Sequence, residues 1–463
     1  MIPRNSPCPC GSGRKYKLCC GALGDPPPAT AVASASARSL MARALKLQLD
    51  ADHEAARELY LAALAEAPAE PDILHMLGVI EYCLHDPAAA VARIQQAMAL
   101  VPDVAAMRDN LRLAKAAVEC RRLKHLIFDP DADARPAPMG GNTIHLLNTY
   151  GNPSGGAEWR AIELGMRLKR HCDVAFWSEH PDRNSVFDAY GVRAIDTSAH
   201  HFPQTGTLVI IGCFFRIGAW VAQTRFRRVI LLYNVFDPVQ LAGKLKRLSL
   251  PMLPKIELLH ASDLLQRNSG LPGRFEPSPI DLEQLRPGPK APRASADFVV
   301  GRVSRDEQTK FHPAAAGFFR EIAARGMKAR IMGGTLLREA LAGEQNVELL
   351  PVRTEPVATF LQSLDCFTYR TDPSWTEAWG RVVTEAMAAG LPVVAHANGG
   401  YAQIIRHGEN GFLFHSDRQA LDLIARLRDD PVLRATIGGA ARQTVVDLVG
   451  EAAFARHVDF YLQ

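Results

Sequence analysis

The sequence predicts a mostly α/β chain: two domains with parallel sheets, preceded by an α-helical segment and a small cysteine-rich unit. Three observations carry this reading. The 463 residues exceed one ordinary domain. From about residue 142 onward, short β-branched runs alternate with helical stretches, the pattern of parallel strands joined by crossover helices. Before that point the chain is rich in Ala and Leu with helical periodicity, and four cysteines crowd its first twenty-two residues.

Hydrophobic residues make up 48% and charged residues 22%, enough apolar material for several cores. The net charge of +4 is too slight to announce nucleic acid or a membrane surface. No apolar run approaches the roughly 20 residues of a spanning helix. The opening MIPRNSPCPCGSG lacks the apolar stretch of a secretory signal. A cytoplasmic protein with no nucleic-acid partner and no transmembrane segment is expected. Cys83, Cys120, Cys172, Cys213 and Cys366 stand singly in apolar surroundings, as reduced buried thiols do.

Residues 1–22 form the cysteine unit. Cys8, Cys10, Cys19 and Cys20 bracket GSGRKYKL, and four thiolates close the tetrahedral shell of zinc. Gly11 and Gly13 permit the tight turns of a knuckle. So short a segment buries no core, so metal binding would supply its folding free energy. A closed thiolate site leaves no position for substrate, which points to a structural or partner-binding role; a small redox or disulfide unit is the other reading. The string RNSPCPCGSGRKYKLCCG resembles the SEC-C zinc motif across its whole length. That resemblance implies a structural zinc and a module that docks other proteins.

Residues 23–36 are small and Pro-rich, a linker. Within 37–123 two stretches match at a period of 34 residues: Ala44 with Gly78, Ala56 with Ala90, Tyr60 with Ile94, Ala63 with Ala97, Pro68 with Pro102. Each unit reads as two helices around a turn at Asp52 or Asp86, and a helix over Val104–Arg122 would cap the stack. The pattern resembles tetratricopeptide repeats, either as a helical spacer or as a docking groove for a protein acceptor or partner. A second polar break lies at 129–142, so a fragment beginning near Asn142 is expected to fold alone.

Beyond it, strands are expected at Thr143–Leu147, Leu208–Gly212, Val229–Tyr233, Phe298–Val303, Ala329–Met332 and Pro392–Ala395, with helices such as Glu158–Arg170 and Arg381–Gly390 between them. The segment RPGPKAPRASAD at 286–297 divides this region into domains at 142–285 and 297–463.

The strongest chemical signal is TEAWGRVVTEAMAAGLPVVAHANGG. Glu377 and Glu385 lie eight residues apart, with Gly380 opening the helix between them. A carboxylate at that helix start can accept hydrogen bonds from vicinal ribose hydroxyls, and one in the loop before it can reach hydroxyls of a sugar. This run, with NGGYAQIIRHGENGFLF, resembles the donor-binding core of retaining glycosyltransferases of family 4, whose fold is GT-B, two Rossmann-like domains. The resemblance covers about residues 143–460. It implies that Glu377 contacts the transferred sugar and Glu385 the nucleotide ribose. It places Gly399 and Gly400 in the turn after the next strand, as donor-binding positions. In FVVGRVSRDEQTKFHP at 298–313 it implies an arginine and a lysine on the donor diphosphate; Arg302 and Lys310 fit best, with Arg305 as the alternative arginine. Gly155 and Gly156, in NPSGGAEWRAIEL, resemble the glycine turn before the first helix, where backbone N–H groups meet a ligand. PSPIDLEQLRP near 277–287 resembles the hinge run, with departures at Ser278, Pro279 and Ile280. Where many relatives carry a catalytic histidine this chain has Asn234, which can hydrogen-bond a hydroxyl but cannot shuttle a proton.

The reading is a retaining transferase moving sugar from a nucleotide-sugar donor to a glycan or protein acceptor, with no catalytic metal and with zinc and repeat modules that select or tether a partner. The rival is a non-enzymatic adaptor that keeps a transferase-like scaffold. The cysteine unit is tested by metal analysis of purified protein: one zinc per chain is expected, released by Cys19→Ser with transferase activity retained. Zinc-free protein with four freely titratable thiols would sink the assignment.

Overall fold

A computed structural model describes residues 34–133, 141–288 and 298–463; the cysteine unit at 1–22 lies outside the described residues. Five helices come first: α1 (Ala35–Leu49), α2 (His53–Glu66), α3 (Pro71–Cys83), α4 (Pro87–Leu100) and α5 (Ala105–Arg122). The 34-residue spacing has a local cause. Asp52 and Asp86 cap the second helix of each hairpin, accepting the backbone N–H of Ala55 and Ala89. The residues before them, Ala51 and His85, are both left-handed, with φ of 61° and 66°. Ala44, Ala56, Tyr60 and Ala63 are fully buried between helices. A Cβ on Gly78 would stand 2.7 Å from Ile94 Cγ1, so the small residue lets α3 and α4 close up.

Two doubly wound parallel sheets follow. The first holds β1 (Ile144–Asn148), β2 (Val174–Ser178), β3 (Arg193–Ala194), β4 (Thr205–Ile211), β5 (Arg225–Tyr233), β6 (Ile256–His260) and β7 (Arg274–Phe275), in the order β3-β2-β1-β4-β5-β6-β7. Helices α6 (Gly156–Leu168), α7 (Pro238–Leu248) and α8 (Asp263–Ser269) connect them. The second holds β8 (Val299–Val303), β9 (Lys328–Met332), β10 (Val347–Leu350), β11 (Cys366–Tyr369), β12 (Val393–His396) and β13 (Phe412–Phe414), ordered β10-β9-β8-β11-β12-β13. Its helices are α9 (Ala315–Ala324), α10 (Val357–Gln362), α11 (Arg381–Ala388), α12 (Asp417–Asp429) and α13 (Pro431–Val449). All six strands expected from sequence are present with small shifts at their ends. Strands β2, β3, β6, β7, β10, β11 and β13 come in addition.

The chain crosses between the two halves twice. It leaves the first through 276–288 and returns at Gly450 into α14 (Glu451–Leu462), whose Phe454, Val458 and Tyr461 pack with Ile144, Leu146 and Ile230 of the first sheet. Arg167 donates to the Val449 carbonyl at 2.9 Å and lies 3.8 Å over the Phe454 ring. Arg228 donates to the Phe460 carbonyl at 2.6 Å. Arg442 on α13 donates to the carbonyls of Leu285 and Leu282, at 3.2 and 3.4 Å, holding the first crossing against the helix that precedes the second. Among the described residues, no helix is long and apolar enough to cross a membrane.

The helical segment shares a core with the first α/β domain, which weighs against 142–463 folding alone. Cys120, Leu123 and Ile127 pack with Leu231, Tyr233, Leu241 and Leu258. Ile127 forms a parallel bridge to Ile256, and the Phe128 N–H donates to the Ile256 carbonyl at 2.8 Å. Glu119 pairs with Lys246 at 2.8 Å. The polar linker at 129–142 made the segments look separable, whereas the apolar end of α5 joins them. A fragment starting at Asn142 is therefore expected to be insoluble or to unfold without cooperativity. In the whole chain Ile127→Ala should cost about 2–4 kcal/mol, read from the denaturant midpoint; an unchanged midpoint would contradict the shared core.

Candidate functional site

In a doubly wound sheet the crevice opens where the strand order reverses, at the carboxyl ends of the strands. In the second sheet this point lies between β8 and β11, which are neighbours. The loops that leave them meet there. Lys310 Nζ stands 2.5 Å from Glu377 Oε1, and the Tyr369 hydroxyl donates to the same oxygen at 2.7 Å. The Lys310 ammonium lies 4.6 Å over the Trp375 ring. Burial alone would push the Glu377 carboxyl up; Lys310, Tyr369 and Arg305 outweigh it and hold the group below the usual carboxylate range. Burial beside Glu377 pushes the Tyr369 phenol up, which keeps it a donor.

The Glu377 loop is pinned from three sides. The Asp372 N–H donates to the Thr309 carbonyl at 3.2 Å, and the Gly400 N–H donates to the Glu377 carbonyl at 2.8 Å. A Cβ on Gly400 would overlap the Ala378 carbonyl and crowd Ser262 of the first domain, so only glycine fits. Gly399 makes a parallel bridge with Glu377. Trp379 is buried within the first domain's core, its ring 5.5 Å from Phe275. Gly399 and Gly400 thus hold the backbone that presents Glu377.

The two candidate arginines part company. Arg302 lies in β8 and is 3% exposed. Its guanidinium is stacked between Phe311 and Tyr369, 4.5 Å from each ring, and donates to the carbonyls of Arg370 and Lys310. Arg305 stands in the loop, a third exposed, paired with Glu307 at 2.9 Å and close enough to Lys310, Glu377 and Glu158 to bear on their charge. Of the two, Arg302 is turned inward and Arg305 stands in the loop at the crevice.

Glu385 lies one turn into α11 and pairs with Arg381 Nε at 2.7 Å. On the first domain, α6 begins at Gly156 with Gly155 as its cap. A Cβ on Gly155 would overlap the Glu158 carboxylate, which folds back over it. Burial raises the Glu158 carboxyl, opposed by backbone N–H groups and by Arg305 from across the crevice. Asn234 follows β5; its Oδ1 is buried without a hydrogen-bond partner and would stand 3.4 Å from a Cβ on Gly212. Ser304 Oγ, Asp372 Oδ2 and Trp375 Nε1 are also buried and unpaired. Folded chains leave few such atoms unpaired, and this set suits a polar ligand rich in hydroxyls. Sequence reasoning missed Tyr369, Trp375, Arg381 and Glu163; only Arg381 had a readable signal, its i,i+4 spacing from Glu385.

Residues 327–444 match the family model of glycosyl transferases group 1, and residues 4–22 match that of the SEC-C motif. The D-inositol 3-phosphate glycosyltransferase of Pseudarthrobacter chlorophenolicus is 34% identical over 108 residues, 23% of this chain and 25% of that protein. The Streptomyces coelicolor protein of the same name is 34% identical over 113 residues, 24% of each. The chain thus spans about a quarter of the length of these curated relatives. Anabaena HepE, solved in complex with UDP and glucose, superposes with a TM-score of 0.54 at 16% identity, over 69% of this chain and 98% of HepE. Sucrose-phosphate synthase from Thermosynechococcus elongatus gives 0.51 at 16% identity, over 69% and 98%. The stretch that carries Glu377 and Glu385 thus lies within the match to the group 1 glycosyl transferase model, in a chain whose two α/β domains have a GT-B-like fold.

Proposed function

We propose that the protein is a retaining glycosyltransferase of family 4 that moves a sugar from a nucleotide-sugar donor to a glycan or protein acceptor. The observation that carries this is the Lys310–Glu377 pair at the strand-order reversal of the second sheet, with Glu377 inside the group 1 match. Glu377 accepts hydroxyls of the transferred sugar, and Glu385 accepts those of the ribose. Lys310 and Arg305 face the diphosphate, where positive charge stabilises the departing nucleotide. Asn234 offers its unpaired oxygen to a hydroxyl from the first-domain side. The bond from the sugar's anomeric carbon to the phosphate oxygen breaks, and the acceptor oxygen bonds that carbon on the same face. The acceptor's proton passes to the leaving phosphate, so Asn234 need not shuttle it. The helical hairpins, read as tetratricopeptide-like repeats, and the cysteine unit, read as a zinc site, serve to hold a protein partner.

Turnover with a panel of UDP-, GDP- and ADP-sugars, alongside calorimetry with the free diphosphates, tests the reading. Glu385→Ala should weaken nucleotide binding, since a charged hydrogen bond contributes about 1.5–3 kcal/mol. Glu377→Ala should lower turnover more than nucleotide affinity, and Lys310→Ala should lower both. If both glutamate variants keep full turnover, the reading falls. The arginines should separate cleanly. Arg305→Ala is expected to weaken nucleotide binding at an unchanged melting temperature. Arg302→Ala should destabilise the fold by about 3 kcal/mol, because it strips two buried carbonyls of their charged donor.

A further inference from the structure

Arg381 touches three parts of the molecule at once. From α11 its Nη2 lies 2.6 Å from Glu163 Oε1 on α6 of the first domain. Its Nε lies 2.7 Å from Glu385 Oε1 one turn along its own helix. Its Nη1 donates to the Pro279 carbonyl at 3.0 Å and to Ser278 Oγ at 3.3 Å, both on the segment joining the two halves. The rigid fork of a guanidinium is what allows these contacts together; a lysine ammonium could not make them in one geometry.

Arg381 bonds two carboxylates at once, and although Arg167 also bears on Glu163, the Glu163 Oε2 atom is buried without a hydrogen-bond partner. Burial raises the Glu163 carboxyl against the pull of Arg381, and the neighbouring Glu385 and Asp281 push it the same way. The junction therefore holds spare acceptor capacity of the kind that vicinal hydroxyls fill. We propose that Arg381 and Glu163 are positioning residues: Arg381 orients Glu385 for the ribose of the donor nucleotide, and Glu163 ties that orientation to the first domain. Donor recognition on one half is thereby sensed by the other. This rests on the assignment of Glu385 to the nucleotide ribose, and it adds a first-domain residue to nucleotide affinity.

A double-mutant cycle on nucleotide affinity tests it. The probe is whichever of UDP, GDP and ADP the wild-type protein binds most tightly by calorimetry. Glu163→Gln and Glu385→Gln are each expected to weaken binding about tenfold, and the double variant to be no weaker than Glu385→Gln alone, the mark of coupled residues. Glu163→Asp, which keeps the charge, should recover part of the loss, as a purely steric role would not predict. If Glu163→Gln fails to fold, Arg381→Lys examines the same link and should show the same loss. Wild-type affinity in Glu163→Gln or Arg381→Lys, or losses that multiply in the double variant, would overturn the coupling while leaving the donor site standing. Wild-type affinity in Glu385→Gln, or no binding of any of the three nucleotides, would remove the donor-site assignment and the coupling with it.

Discussion

The buried contact between Lys310 and Glu377 is the constraint around which the crevice is arranged. Neither charge would be stable there alone, because taking an ion out of water costs several kcal/mol unless a partner and further hydrogen bonds compensate. The pair therefore demands that two distant loops arrive together, which the adjacency of β8 and β11 ensures. It also demands help. The Tyr369 hydroxyl bonds the same carboxylate oxygen, the Trp375 ring lies against the ammonium, and Gly400 grips the backbone behind. Such a pair adds little net stability. What it provides is registry, fixing a loop that would otherwise have many conformations.

The parts legible in the sequence were those with short-range rules. Alternation of strand and helix identified two parallel-sheet domains, and the resemblance of the run around Glu377 and Glu385 singled out the loop and helix that carry them. The two arginines could not be told apart in the sequence because a strand hides its own direction. In a parallel sheet covered on both faces, every side chain within the strand points into packing. Arg302, inside β8, accordingly sits between Phe311 and Tyr369, while Arg305, past the strand's end, is free to face the crevice. Glu163 had no signal at all, since its partner Arg381 lies far along the chain. The attachment of the helical segment was hidden for the same reason: Cys120 and Ile127 read as ordinary apolar residues until β6 and α7 are placed beside them.

That attachment changes the meaning of the N-terminal helices. α5 is built into the first domain, and at the other end of the segment Asp50, just after α1, lies 3.6 Å from Arg370, which also pairs with Asp417 at 2.5 Å. The helices thus touch both halves of the molecule. They form part of its frame, and any partner they hold sits in fixed relation to the crevice.

The paired crossings between the halves have a mechanical consequence. A single connecting strand permits bending and twisting alike. Two connections, the first of them held against α13 by Arg442, resist torsion more than a single one would. A protease cut through 276–288 would therefore leave the halves tethered through α14, which packs on the first sheet.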